Sequence, residues 1–171
     1  QKGFHLLVPV LDRMIAAGAQ FVLLGSGERS VEQAFERAQM EHRKSCRVWI
    51  GFDNELAHRI YAGSDLLLMP SLYEPCGLNQ MYALRYGTIP VVRLTGGLRD
   101  TVIPFDGTNV EQATGFGFEH INPGDLYMAT WLGMLNYKDA RDWKRLQRNG
   151  MEQDFSWDQS ARKYEDVYRR A

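Results

Sequence analysis

Long apolar runs, a charge excess of one sign and clustered metal ligands are all missing from these 171 residues. A bilayer-spanning helix needs roughly 20 consecutive apolar residues, and no stretch approaches that. Nor does the amino end place a charged region before an apolar one, as a secretory leader would. The expectation is a chain without membrane contact, in the cytoplasm. Twenty Lys and Arg nearly cancel 21 Asp and Glu, so no overall field draws the chain to nucleic acid or to an anionic surface. Any anion site must be local. Cys46 and Cys76 stand far apart without CxxC spacing, and His5, His42, His58 and His120 do not cluster. A disulfide framework and a metal site are therefore not expected. Internal repeats and low-complexity tracts are absent too.

What is present is an alternation. Hydrophobic residues make up 44% and charged ones 24%, ordinary for a single soluble domain over 1–171. Short apolar runs alternate with amphipathic stretches, as in an α/β fold with a parallel sheet covered by helices. Strands are predicted over 21–25 (FVLLG), 47–52 (RVWIGF), 65–69 (DLLLM) and 89–94 (IPVVRL), with a weaker fifth over 115–119. Helices are predicted over 4–17, 31–43, 55–62 and 79–86. Gly18, Gly63 and Gly87 stand where left-handed C-terminal caps would lie. After Gly124 the strands cease and three helices follow, over 125–136, 139–154 and 156–170. Trp131, Leu135, Trp143, Leu146, Phe155, Trp157, Tyr164 and Tyr168 are their candidate core or docking side chains.

In open α/β sheets ligands bind beyond the carboxyl ends of the strands, where loops lead into helix N-termini. Four such ends occur here, at 25–28 (GSGE), 52–54 (FDN), 70–79 and 95–97 (TGG). The third packs a carboxylate, a proline, a glycine and a helix start into Glu74–Asn79. Free N–H groups at that helix start would suit phosphate oxygens, Gly77 would permit close backbone approach, and Glu74 could hold hydroxyl groups. The alternative is a plain strand-to-helix turn with an exposed acid. Local chemistry alone does not separate the two. The lone Gly-x-Gly at 25–27 marks a tight turn as readily as a nucleotide loop.

EPCGLNQ at 74–80, YGTIPVVR at 86–93 and TGGLRDTV at 95–102, in that order, resemble the motifs of bacterial glycogen synthases and plant starch synthases. QKG at 1–3, WIGF at 49–52, AHRI at 57–60 and DFSW at 154–157 agree with it, so the resemblance covers essentially the whole chain. It implies a retaining glucosyltransferase with two Rossmann-like domains in the GT-B arrangement, of which this chain would be the C-terminal, nucleotide-sugar-binding one. The reaction implied is glucose transfer from ADP-glucose to the non-reducing end of an α-1,4-glucan. The resemblance implies no metal and no cofactor.

Matched residue by residue, Lys2 falls on the lysine that neutralises the departing diphosphate, and Glu74 on the acid beside the donor glucose. Cys76, Gly77, Leu78 and Asn79 fall on the turn whose amides hold glucose and phosphate. Phe52 falls on an aromatic position that packs against adenine; its alternative is a core residue at a strand end. Tyr82 stands where many wider relatives carry a ribose-binding glutamate, which favours the synthases. His58 and the late aromatics read as structural. The resemblance also implies that the domain's first strand and the acceptor-facing domain are not in this chain, so that alone it would be inactive. With that central strand missing, the strands at Phe21 and Asp65 would pair directly, swap a strand, or oligomerise across the gap.

Overall fold

The protein is described here as a computed structural model covering residues 1–170, apart from the Lys163 side chain. Five strands form: β1 (Phe21–Gly25), β2 (Cys46–Ile50), β3 (Leu66–Met69), β4 (Ile89–Arg93) and β5 (Phe116–Phe118). They lie within a residue or two of the segments predicted from apolar runs. All pairings are parallel, with Phe21 opposite Cys46, Leu66 opposite Ile89 and Val91 opposite Phe116. Helices flank the strands: α1 (Leu11–Ala16), α2 (Arg29–Glu41), α3 (Asn54–Gly63), α4 (Asn79–Tyr86), α5 (Gly96–Thr101), α6 (Pro123–Asn136), α7 (Ala140–Met151) and α8 (Trp157–Arg170). The α/β class and the helical carboxyl end are as expected. Among the described residues, no helix is long and apolar enough to cross a membrane.

Several expectations need correction. The strands make two sheets, β1-β2 and β3-β4-β5, and β1 does not pair with β3, so direct pairing across the gap is not the solution adopted. The predicted helix over 4–17 is broken into two 3₁₀ turns, Phe4–Leu6 and Val8–Val10, ahead of α1. Pro9 explains this, because it donates no N–H and disfavours helical geometry in the residue before it. Gly87 caps α4 in the left-handed region (φ 80°), whereas Gly63 stays inside α3 and Ser64 ends it. The TGG turn is itself the start of α5, a short helix not predicted.

The sheets are joined by packing rather than by a strand. Leu6, Leu7, Val10, Leu11 and Met14 share one apolar cluster with Phe35 and Cys46 on the β1-β2 side and with Ile89, Val91 and Phe116 on the β3-β5 side. The broken amino-terminal helix thus fills the space between the two halves. Burial pushes the Cys46 thiol pKa up, which keeps it an inert core residue. Leu126 of α6 is fully buried in the same cluster. Leu126→Ala is expected to lower unfolding free energy by about 2–5 kcal/mol, read as a fall in urea midpoint at unchanged slope.

α8 departs from expectation. Trp157, Tyr164 and Tyr168 are 85%, 62% and 76% exposed, while Trp143 of α7 is 6% exposed. The core reading of the late aromatics therefore holds for α7 and fails for α8.

Candidate functional site

The loop after β3 is built around an ion pair. Lys2 Nζ lies 2.6 Å from Glu74 Oε2, across 72 residues of sequence, and Ser71 Oγ donates to the same oxygen at 3.1 Å. Glu74 is only 7% exposed, which rules out the plain turn with a solvated acid. A carboxylate this buried requires partners, and both come from the chain. Lys2 reaches it because Gln1–Gly3 runs against the end of β3: Leu72 N donates to Gln1 O at 2.8 Å. Gly3, at φ 71°, lies so close that a Cβ there would come within 1.8 Å of Pro70 O. Arg93, at the end of β4, holds the same loop through Ser71 O at 2.7 Å and Leu72 O.

The TGG segment forms the wall beneath. Gly97 N donates to Glu74 O at 2.9 Å. A Cβ on Gly96 would fall 2.2 Å from Glu74 O, and one on Gly97 would fall 2.0 Å from Cys76 O. The two glycines therefore let α5 approach the backbone of 74–76 at a distance no side chain permits.

Beyond Glu74 the chain turns through Gly77 at φ 72° into α4. Leu78, the N-cap, offers no side-chain oxygen, so the first-turn amides of α4 are not capped. By contrast Asp53, Asn122 and Asp139 cap α3, α6 and α7 with their own carboxylates or amide. Uncapped first-turn N–H groups are the feature that binds phosphate and carboxylate oxygens at helix starts. Lys2, Glu74, Cys76, Gly77, Leu78 and Asn79 are thus brought together as one corner.

Two residues named from sequence stand apart from it. Phe52 follows β2 and is 91% exposed, so it is not the core residue of its alternative reading. Tyr82 lies one turn into α4, with its ring 5.9 Å from His58 and 6.1 Å from Tyr61. Burial, and secondarily Tyr82 itself, raise the Tyr61 pKa, so the Tyr61 phenol stays neutral. His58 fits its structural reading, with Nδ1 3.1 Å from the Tyr86 hydroxyl. In the GSGE loop the Gly27 amide is already taken by Glu32 Oε1 at 2.9 Å, which favours the tight-turn reading there. A groove of about 140 Å³ between α1 and α2, lined by Val8, Leu11, Phe35 and Ala38 among others, includes none of the corner's residues.

Sequence reasoning passed over Ser71, Gln80 and Arg93. Gln80 had a visible signal: with Ala83 and Leu84 it makes the buried face of α4, and a polar residue on a buried face needs partners. Arg93 acts through contacts 21 and 22 residues away and left none, and Ser71, three residues before Glu74, is marked as a partner only by the burial of that carboxylate.

A glycogen synthase of Anaeromyxobacter dehalogenans is 52% identical over 169 residues, covering 99% of this chain and 35% of the relative. A granule-bound starch synthase 2 of Pisum sativum is 46% identical over 98% of this chain and 22% of its own length. The chain thus spans about a third or less of the curated relatives it matches. Among solved structures, the catalytic domain of starch synthase IV from Arabidopsis thaliana, bound to ADP and acarbose, superposes with a TM-score of 0.86 at 39% identity, over 99% of this chain and 36% of that one. Residues 1–144 match the family described as glycosyl transferases group 1, and a match over that much of the sequence places the chain in the group 1 glycosyltransferase family.

Proposed function

We propose that the chain is the donor-binding domain of a glycogen or starch synthase, a retaining hexosyltransferase that takes glucose from ADP-glucose and adds it to an α-1,4-glucan in the cytoplasm. The observation that carries this reading is the corner itself: a buried carboxylate, a lysine on it, and uncapped amides one turn away. The glycogen and starch synthases it resembles, one of them solved with ADP, support the choice of donor. The glucan would be bound mainly by parts of the longer protein, and this chain alone would turn over no donor.

Glucosyl transfer develops positive charge at the anomeric carbon and negative charge on the leaving diphosphate. Glu74 would face the first, as glycosidase carboxylates do. Lys2 and the amides of Gly77, Leu78 and Asn79 would face the second, so the reading calls on no metal. Lys2 is half exposed while Glu74 is not. The ammonium can therefore swing from the carboxylate to an arriving phosphate without itself leaving a buried position. Phe52 would stack on the adenine, and Tyr82 would line the ribose side.

Calorimetric titration of ADP, UDP and ADP-glucose into the chain tests this; binding of ADP and ADP-glucose ahead of UDP is expected, and failure of all three refutes it. Phe52→Ala should weaken ADP about tenfold, the worth of one base-aromatic stack. Because the ring is exposed, stability should move by no more than about 0.5 kcal/mol, and pyrophosphate affinity should not move at all.

A further inference from the structure

One buried side chain grips the backbone carbonyls of the corner. Gln80 is fully buried, and its Nε2 shares its two protons among three acceptors, Cys76 O at 3.1 Å, Gly77 O at 3.0 Å and Thr101 Oγ1 at 3.1 Å. The Thr101 hydroxyl spends its one proton on Gly97 O at 2.5 Å, so towards Gln80 it can only accept. That fixes the nitrogen, not the oxygen, as the end of the Gln80 amide facing the turn.

A trans peptide is a rigid plate with its C=O and N–H on opposite edges, and the chain contains no cis bond among the described residues. Drawing Cys76 O and Gly77 O towards one buried nitrogen therefore turns the N–H groups of Gly77 and Leu78 the other way, out of the interior. Neither N–H has a partner within the described residues. Gly77 at φ 72° is followed by Leu78 in the right-handed region, φ −111° and ψ −29°. Alternation of this kind makes successive N–H groups converge on one anion-sized concavity.

The turn does not hold this geometry unaided. Glycine is the residue most free to rotate its flanking peptides, and here it sits at the centre. The Gln80 amide lies directly beneath it: a Cβ on Gly77 would come within 2.5 Å of Oε1. That same Oε1 is buried without a partner, a cost that a residue selected for packing alone would not carry.

We propose that Gln80 is a positioning residue for the donor's diphosphate: by gripping the carbonyls of Cys76 and Gly77 it holds the Gly77 and Leu78 amides aimed at the phosphate oxygens. This rests on the reading that the diphosphate binds at this corner.

The test titrates adenosine, ADP and pyrophosphate into the chain, Gln80→Met and Gln80→Glu. Methionine keeps the length and loses the donor; an ionised glutamate keeps the shape and can only accept. Both variants are expected to bind ADP and pyrophosphate at least about tenfold more weakly, the worth of one hydrogen bond to a charged group, with adenosine unchanged. Unchanged ADP binding, or a parallel loss for all three ligands such as loosened packing would cause, overturns the inference. A measurement on the unsubstituted chain stands apart from any folding defect: pyrophosphate should shift the amide resonances of Gly77 and Leu78, and saturation that leaves both in place also overturns it. If the unsubstituted chain binds neither ADP nor pyrophosphate, the reading of the corner fails, and the role of Gln80 with it.

Discussion

Glu74→Gln in the full-length transferase is expected to lower kcat by about 10²–10³-fold, the usual cost of removing one preorganised electrostatic group from a reacting centre. Glutamine preserves the volume and can still accept from Ser71 Oγ, which lies 3.1 Å from the native oxygen. What it removes is the negative charge that would face the anomeric carbon. It also removes the counter-ion that holds Lys2 at 2.6 Å. Lys2 is half exposed, so losing its partner leaves a solvated ammonium rather than a buried charge, at a cost of about 0–1 kcal/mol. The thermal midpoint should therefore move little, and the lost turnover can be assigned to chemistry. Near-normal turnover would remove Glu74 from the mechanism. The partner substitution, Lys2→Ala, acts differently, because it strands a buried carboxylate rather than a solvated ammonium.

The other large effect is expected from Gly97→Ala. The added methyl would fall 2.0 Å from Cys76 O and 2.6 Å from Cys76 C and Cα, all backbone atoms. No rotamer change relieves an overlap with backbone, so either α5 or the 74–76 loop must move. Overpacking of this kind costs about 1–3 kcal/mol and sometimes more. The displaced loop carries Glu74 and the start of the amide corner, so ADP affinity should fall at least about tenfold, one hydrogen bond's worth to a charged group. Gly27→Ala is the control, since a Cβ there meets nothing within 4 Å; its stability should change by no more than about 0.5 kcal/mol. Urea unfolding and ADP titration of the two variants decide it. Equal behaviour would mean that the close approach of α5 is not required.

The aromatic cluster and the corner show where sequence reasoning reaches and where it stops. Short apolar runs bounded by glycine, proline or serine located the strands. β4 is buried from Ile89 to Val92, as a strand covered on both faces must be, while β1 and β2 keep the apolar run but leave Val22 and Trp49 exposed. The helix at 79–86 was bounded correctly because Gly87 ends it in a conformation that favours glycine. The helix predicted over 4–17 breaks at Pro9, which lacks the N–H a continuous helix needs even though the apolar stripe runs on past it. Phe52 and Trp157 read alike in sequence as apolar residues that either pack or dock. Only their exposure, 91% and 85%, separates them from Trp143.

The amino-acid sequence by itself determined the α/β class, the positions of the strands and the identity of Lys2, Glu74 and the 76–79 turn as the candidate corner. These depend on periodicity, on glycine and proline, and on residue types in a recognisable order, all of which are local. The tertiary structure alone decided that Lys2 sits on Glu74, that Gly96 and Gly97 serve close packing, that Arg93 pins the loop and that Gln80 grips the carbonyls of Cys76 and Gly77. Each of these depends on contacts between segments far apart in the chain, where a few tenths of an ångström separate a hydrogen bond from a clash, and no local pattern encodes such distances.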